Sequence, residues 1–280
     1  MRVEVAPGVG LEVEVRGEGA GVLLVHGLGG AKEDFAEQLE LLGTRGFRVV
    51  APDLRGHGAS DHPPGSDAYG VEVFAADLDA LAREVLPDGF HLVGHSVGGM
   101  GAQRWALTDR APTAGRRLLS LTLVDTAHGP LPGLEVGLAE AAAWVAREQG
   151  MAELRRHMSE RGSGSTPAHE RLVRERPGYE TYNERKWEAL SADMYAALVV
   201  EIATRSERLG ELAGLHLPTL VVVGAQDEPL RADAERMAAA SVGSRLVVIE
   251  DAGHAPQLEA PERFGEALLS FFSAAGSGTA

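Results

Sequence analysis

Cysteine is absent from this 280-residue chain. That excludes a disulfide framework, thiolate nucleophiles and thiolate-ligated zinc. Cations are in deficit, with 26 Lys and Arg against 41 Asp and Glu and a formal net charge of -15. A surface of that sign repels phosphate backbones and anionic headgroups, so neither nucleic acid nor a membrane is an expected partner. No apolar run is long enough to span a bilayer. Met1-Arg2-Val3-Glu4-Val5 lacks the basic region and apolar stretch of a secretory signal. These absences together read as a cytoplasmic protein. The ten His contain no pair at short spacing on a helix-like segment, and His169-Glu170 lacks a second histidine. The 35 Gly form neither a P-loop nor a dinucleotide turn. No metal and no cofactor are therefore expected, and the oligomeric state is left open between monomer and homodimer.

Hydrophobic residues make up 44% of the chain, enough for one large core or two modest ones. Val3 and Val5, then Leu11, Val13 and Val15, alternate with polar residues around Pro7-Gly8-Val9-Gly10, which predicts an antiparallel hairpin. Continuous apolar runs, the mark of strands buried on both faces, fall at 22–25, 47–51, 90–93, 119–124, 220–223 and 246–249. Helix-length amphipathic segments lie between them at 32–44, 71–85, 97–107, 231–240 and 261–272. Strand and helix in alternation predict an α/β fold, a mostly parallel sheet covered on both faces. The alternation stops between 126 and 217. That stretch has helix-like pieces at 134–149, 151–161, 169–176, 182–192 and 194–212, with a break at Gly162-Ser163-Gly164-Ser165 and Pro167. It reads as a helical insertion above the strand ends, which divides the chain into a core of 1–125 and 218–280 and an insertion of 126–217. The small, polar tail 274–280 reads as frayed.

The densest chemical signal is Gly94-His95-Ser96-Val97-Gly98, between an apolar run and a helix-like segment. A serine on a sharp strand-to-helix turn projects its hydroxyl above the sheet, and small neighbours let that turn close. Acyl transfer by serine also needs a base, a group to orient the base, and donors for the oxyanion. His254, just after the last strand, is the candidate base. Asp227, just after the preceding strand, is the candidate orienter on chain order, with Asp125 and Glu228 as alternatives. Backbone N–H groups of Val97 and Leu28 are the candidate oxyanion donors. Asp251 reads as a turn residue, and His26, His57 and Asp53 as structural. His95 is expected to pack or hydrogen-bond away from the site. Trp144, Tyr179, Tyr182, Trp187 and Tyr195, in the insertion, are candidates to line a substrate pocket. The charged run Arg171 to Arg176 reads as a solvated helix face.

From its first strands to its last helix the chain resembles the α/β-hydrolase superfamily. The likeness rests on His26-Gly27-x-Gly29-Gly30, Pro52-Asp53-Leu54-Arg55-Gly56-His57-Gly58-x-Ser60, the Ser96 turn, Gly224-x-x-Asp227 and Gly253-His254. It implies eight strands with the second antiparallel, and a helical cap between strands six and seven. It also implies a serine hydrolase, with an ester or lactone of small to medium acyl size as its substrate. An Asp nucleophile, as in haloalkane dehalogenases and epoxide hydrolases, is absent. Carbon–carbon bond hydrolases of this fold usually carry Asn where His95 stands. Cofactor-free haloperoxidase-like enzymes share the Ser–Asp–His set, and some relatives are non-catalytic small-molecule binders. The His254 assignment carries an expectation for solution work. Hydrolysis fails on acidification as the imidazole takes a proton, whereas a flat rate profile from about pH 5 to about pH 8 contradicts His254 as the base.

Overall fold

A computed structural model describes residues 1–86, 88–108, 118–160 and 165–277. Its eight strands are β1 (Arg2–Ala6), β2 (Val9–Arg16), β3 (Ala20–Val25), β4 (Phe47–Pro52), β5 (Phe90–His95), β6 (Leu118–Val124), β7 (Thr219–Gly224) and β8 (Arg245–Ile249). They form one sheet in the order β1-β2-β4-β3-β5-β6-β7-β8. β2 runs antiparallel to both β1 and β4, and the remaining pairs are parallel. The continuous apolar runs have a simple cause. Leu23, Val50, Leu92, Val221 and Val223 enter one core, and Val22, Leu24, Val49, Val93, Leu220 and Val222 enter the other. Side chains alternate across a strand, so a strand with a core on each face is apolar at every position.

The helices of the two layers are α1 (Ala36–Gly43), α2 (Val71–Val85), α3 (Val97–Ala106), α10 (Glu228–Ala240), α11 (Pro256–Glu259) and α12 (Pro261–Ser277). Leu39 and Leu42 of α1 and Phe264, Leu268, Phe271 and Phe272 of α12 close one core. Phe74 and Leu78 of α2, Trp105 of α3 and Met237 of α10 close the other. Apolar positions three and four apart put these residues on one stripe of each helix. The last helix outruns its expected end and holds residues 274–277 of the tail that reads as frayed, while 278–280 lie outside the described residues.

Six helices lie between β6 and β7: α4 (Val136–Glu148), α5 (Met151–Glu160), α6 (Pro167–Glu175), α7 (Tyr179–Glu188), α8 (Ala192–Thr204) and α9 (Leu209–Ala213). Arg161 and most of the Gly/Ser break lie outside the described residues. The segment read as a single helix over 194–212 is two. Arg205 turns extended (φ -62°, ψ 152°), where the stretch after β6 docks through Leu131 N–H to Ile202 O at 2.8 Å and Arg208 N–H to His128 O at 2.8 Å. The apolar period continues through the break because Leu209 and Leu212 pack on the same core as Ile202. The six helices are tied to turns at the carboxyl ends of the strands. Ser191 N–H donates to Gly56 O at 3.0 Å, Gly65 N–H to Asp193 at 2.8 Å and Ala168 N–H to Gln226 at 2.8 Å. Arg171, read as part of a solvated face, donates to the carbonyls of Asp251 (2.6 Å) and Glu259 (2.8 Å). Among the described residues, no helix is long and apolar enough to cross a membrane.

The turn after β4 is fastened to α2 by a buried ion pair. Arg55 donates through Nε and Nη2 to the two Asp77 oxygens, at 2.6 Å each. Burial raises the Asp77 carboxyl although Arg55 opposes it. Removing one partner strands the other charge in the core. Asp77→Ala is expected to cost about 3–5 kcal/mol in urea unfolding, and a loss under about 1 kcal/mol would show that the pair is solvated.

Candidate active site

Sheet register assembles the site before any side chain is considered. β5 ends beside the end of β6 (His95 with Val124), β6 beside β7 (Val124 with Val222) and β7 beside β8 (Gly224 with Ile249). Residues just past these ends therefore meet at one edge. The ladder runs one step further, with Ser96 N–H donating to Val124 O at 2.9 Å and Ala225 N–H to Ile249 O at 2.9 Å.

Ser96 has φ 52° and ψ -120°, one of two non-glycine residues with positive φ among those described. Such a conformation costs on the order of 1–3 kcal/mol and needs surroundings that enforce it. The glycines supply them by absence of bulk. A Cβ on Gly94 would stand 2.6 Å from Gly98 O, and one on Gly98 would overlap the His26 carbonyl. With the turn closed, Ser96 Oγ–H donates to His254 Nε2 at 3.1 Å, and His254 Nδ1–H donates to Asp227 Oδ2 at 2.6 Å. His254 is exposed and Asp227 is buried. Burial alone would raise the Asp227 carboxyl, but the hydrogen bond and charge of His254 hold it below its ordinary value.

The two candidate oxyanion donors come from the residue after Ser96 and from the turn after β3, where a Cβ on Gly27 would stand 2.8 Å from Ser96 Cβ. Val97 is the first residue of α3, where an N–H has no partner in its own helix. Leu28 lies in the turn after β3, and neither amide donates to a backbone carbonyl in a turn, loop or cap. Its neighbours are committed: Gly29 N–H donates to His57 Nε2 at 3.3 Å and Gly30 N–H to Gly27 O at 3.0 Å. Two buried imidazoles brace this turn. His26 Nδ1–H donates to Gly27 O at 2.8 Å while its Nε2 accepts from Leu54 N–H at 2.9 Å, and His57 Nδ1–H donates to Arg55 O at 3.2 Å.

His95 does not turn away from the site. Its Nε2–H donates to the His254 carbonyl at 2.6 Å, and the two rings are centred 5.0 Å apart. Glu259 holds the same loop from α11, accepting from Gly253 N–H at 2.7 Å and Ala255 N–H at 3.2 Å. Asp34, beside the oxyanion turn, accepts from Lys186 and Tyr182 at 2.7 Å each. Burial would raise the Asp34 carboxyl, and the Lys186 charge outweighs it. The sequence reading missed Glu259 and Asp34, and it gave His95 packing or a hydrogen bond but directed it away from the site. An acid five residues after the histidine is the one local signal that pointed at Glu259; Asp34 and Lys186 are too far apart in sequence to leave any.

The five pocket candidates divide. Tyr195 lines a cavity of about 300 Å³ among α4, α5 and α8, with Leu138, Val145, Leu154, Met158 and Val199. Trp187 lies 6.0 Å from the Tyr195 ring and covers Gly29 of the oxyanion turn. Leu28 packs against that same apolar cluster. Tyr182 serves Asp34, and Tyr179 packs with Leu172 and Leu258. Trp144 is 53% exposed on α4. For a metal, Asp125, Asp227 and His254 form the one candidate group among the described residues, with ligand atoms within 4.8 Å of one another. A cation there would have to break the 2.6 Å hydrogen bond between His254 and Asp227.

Burial keeps several imidazoles neutral. Desolvation lowers His26, takes His57 well below its ordinary value, and brings His91 to about 4 and His95 to about 3. Below about pH 6.5 the unfolded chain binds these protons and the folded one does not, so stability falls as pH falls. Asp77 and Asp125, raised by burial, act in the opposite sense. His91, which bonds Ser120 Oγ at 2.7 Å and stacks on Phe272, isolates one proton. Between about pH 6.5 and about pH 4.5, Tm is expected to drop less steeply in His91→Gln than in the parent. Parallel curves would mean that His91 is protonated in the fold.

A family profile described as the alpha/beta hydrolase family matches residues 22–267. The AB hydrolase superfamily protein YisY of Bacillus subtilis is 27% identical over 268 residues, covering 94% of this chain and 95% of that one. A thermophilic esterase from Thermogutta terrifontis, solved with malate bound, superposes with a TM-score of 0.84 at 31% identity, over 98% of this chain and 99% of that one. Epoxide hydrolase 2 of Siraitia grosvenorii is 36% identical over 100 residues, which is 36% of this chain and 32% of that protein. The chain belongs to the alpha/beta hydrolase family, and so to the hydrolase class of enzymes.

Proposed function

We propose that the protein cleaves carboxylic esters or lactones through an acyl-enzyme on Ser96. The observation that carries this reading is the unbroken line of hydrogen bonds from Asp227 through His254 to Ser96 Oγ, at 2.6 and 3.1 Å. His254 removes the hydroxyl proton as Ser96 attacks the carbonyl carbon. The N–H groups of Leu28 and Val97 receive the oxyanion. His254 then protonates the leaving alkoxide, and a water molecule attacks the acyl-enzyme with His254 again as base. Asp227 stays ionised, fixes the imidazole tautomer and stabilises its charged form. The partial likeness to an epoxide hydrolase does not alter the reaction. Opening an epoxide through an alkyl ester needs a carboxylate nucleophile, and position 96 is serine.

The six helices between β6 and β7 act in this reading as a cap, and the cavity near Tyr195 holds the acyl chain. Its walls are mostly apolar, with Tyr195 and His157 the polar-tipped members, which favours an unbranched apolar acyl group of modest length. The cytoplasm is the proposed location and a small molecule the proposed partner, with no cofactor required.

Kinetics test both parts. Ser96→Ala and His254→Ala are each expected to lower kcat by about 10⁴-fold or more, and the double variant to lose little further, because the two residues act as a unit. Independent losses would mean that Ser96 and His254 do not share one step. Across p-nitrophenyl esters from acetate to decanoate, Ala142→Phe is expected to move the optimum toward shorter chains, since Ala142 lines the cavity. An unchanged optimum places the acyl group elsewhere.

A further inference from the structure

Asp125, the alternative orienter in the sequence, lies beside Asp227 rather than in place of it. It follows β6 with φ 40°, the second non-glycine residue held at positive φ. Its backbone and one oxygen are fixed by the neighbouring strand. Asp125 N–H donates to Val222 O at 3.0 Å, and Gly224 N–H donates to Asp125 Oδ1 at 3.0 Å. The residue is 1% exposed, and its second oxygen, Oδ2, is buried with no protein donor. What that carboxyl does meet is another carboxyl. Side-chain oxygens of Asp125 and Asp227 and a ring nitrogen of His254 all lie within 4.8 Å of one another.

Two carboxylates cannot both be ionised at that separation in a dry environment, so one proton is shared between them. Donor placement decides which residue keeps it. Asp227 accepts from His254, which favours its charged form. Asp125 accepts a single backbone N–H and faces two acids, Asp227 from the β7 turn and Glu259 from α11. The His254 ring stands within 4.8 Å of both carboxyls, and its Nδ1–H donates to Asp227.

We propose that Asp125 is a positioning residue, a neutral carboxylic acid whose Oδ2–H donates to the Asp227 carboxylate. Asp227 is then held from two sides, by the imidazole it orients and by Asp125. The Asp125–Asp227 pair then carries one negative charge rather than two. The proton stays on Asp125 throughout turnover, so no bond to it forms or breaks in the reaction. Burial and the neighbouring Asp227 charge both push the Asp125 carboxyl well above its ordinary value, in keeping with this assignment. The role also explains why a residue with strained backbone and a fully buried side chain ends β6, where an apolar residue would spare the desolvation.

The inference rests on the serine-hydrolase reading, and its tests are chosen to separate the two. Infrared difference spectra need no turnover. At pH 7 the carbonyl band of a protonated carboxylic acid is expected in the parent and lost in Asp125→Asn. Absence of an Asp125 band overturns the proposal whatever the substrate proves to be. The second test is the rate of fluorophosphonate labelling against pH. Asp125→Ala, which strips the donor, is expected to slow labelling by about 10- to 100-fold through loss of alignment. Asp125→Asn keeps a donor on Asp227 and an acceptor for Gly224, and is expected to rescue most of that loss. Its acidic limb is expected to coincide with that of the parent, because no charge has been removed. A downward shift of about one pH unit or more in Asp125→Asn would mean that Asp125 carries a charge beside His254, and would overturn the assignment. Should Asp125→Ala fail to fold, the band and the position of the Asp125→Asn limb still decide.

Discussion

The backbone at Ser96 is the constraint on which the rest of the site depends. A serine at φ 52° is held only because β5 and α3 leave it no other path. Gly94 and Gly98 let the strand, the helix and the His26 carbonyl come within contact distance of one another. The sheet supplies the force behind that constraint. Val22, Leu24 and Val93 on one face and Leu23, Val25 and Leu92 on the other are fully or almost fully buried. A turn clamped between two packed cores cannot relax without opening both, so strain worth a few kcal/mol is tolerated there.

Around that fixed point the polar groups fall into two tiers. His254 bonds the hydroxyl and Asp227 bonds His254, with the N–H groups of Leu28 and Val97 as the proposed oxyanion donors. Behind them stand groups that never reach it: His26 and His57 under the oxyanion turn, and His95 and Glu259 under the His254 loop. Asp125 belongs with these, under Asp227. Each backing group bonds to the main chain or to another side chain, which sets the geometry of the facing tier before substrate arrives. The imidazoles suit this work because a neutral ring offers one donor and one acceptor at a fixed separation. The helices between β6 and β7 close the arrangement from above, with Lys186 and Tyr182 on Asp34 and Trp187 against Gly29.

Much of this is legible in the residues, and the reasons are local. Each of the eight strands announces itself, β1 and β2 by alternation and the rest by continuous apolar runs, although β8, expected to be buried on both faces, is an edge strand with Leu246 exposed and Val247 and Val248 half-buried. Ser96, Asp227 and His254 are readable because each sits within a few residues of a strand end, and sheet register does the rest. What the sequence hides is contact between distant segments. Lys186 meeting Asp34, or Arg171 capping the carbonyls of Asp251 and Glu259, leaves no periodic trace. The helical segment was read least well for the same reason. Its apolar period continues across Arg205 although the backbone breaks there, since the helices on both sides pack on one core.

The central claim is that Ser96 is an activated nucleophile, and a fluorophosphonate tests it most directly. The probe needs no knowledge of the acyl group and reports on one hydroxyl. One adduct per chain is expected, mapped by mass spectrometry to the peptide bearing Ser96, and none in Ser96→Ala. Unmodified parent protein, or an adduct mapped to any other residue, would contradict it.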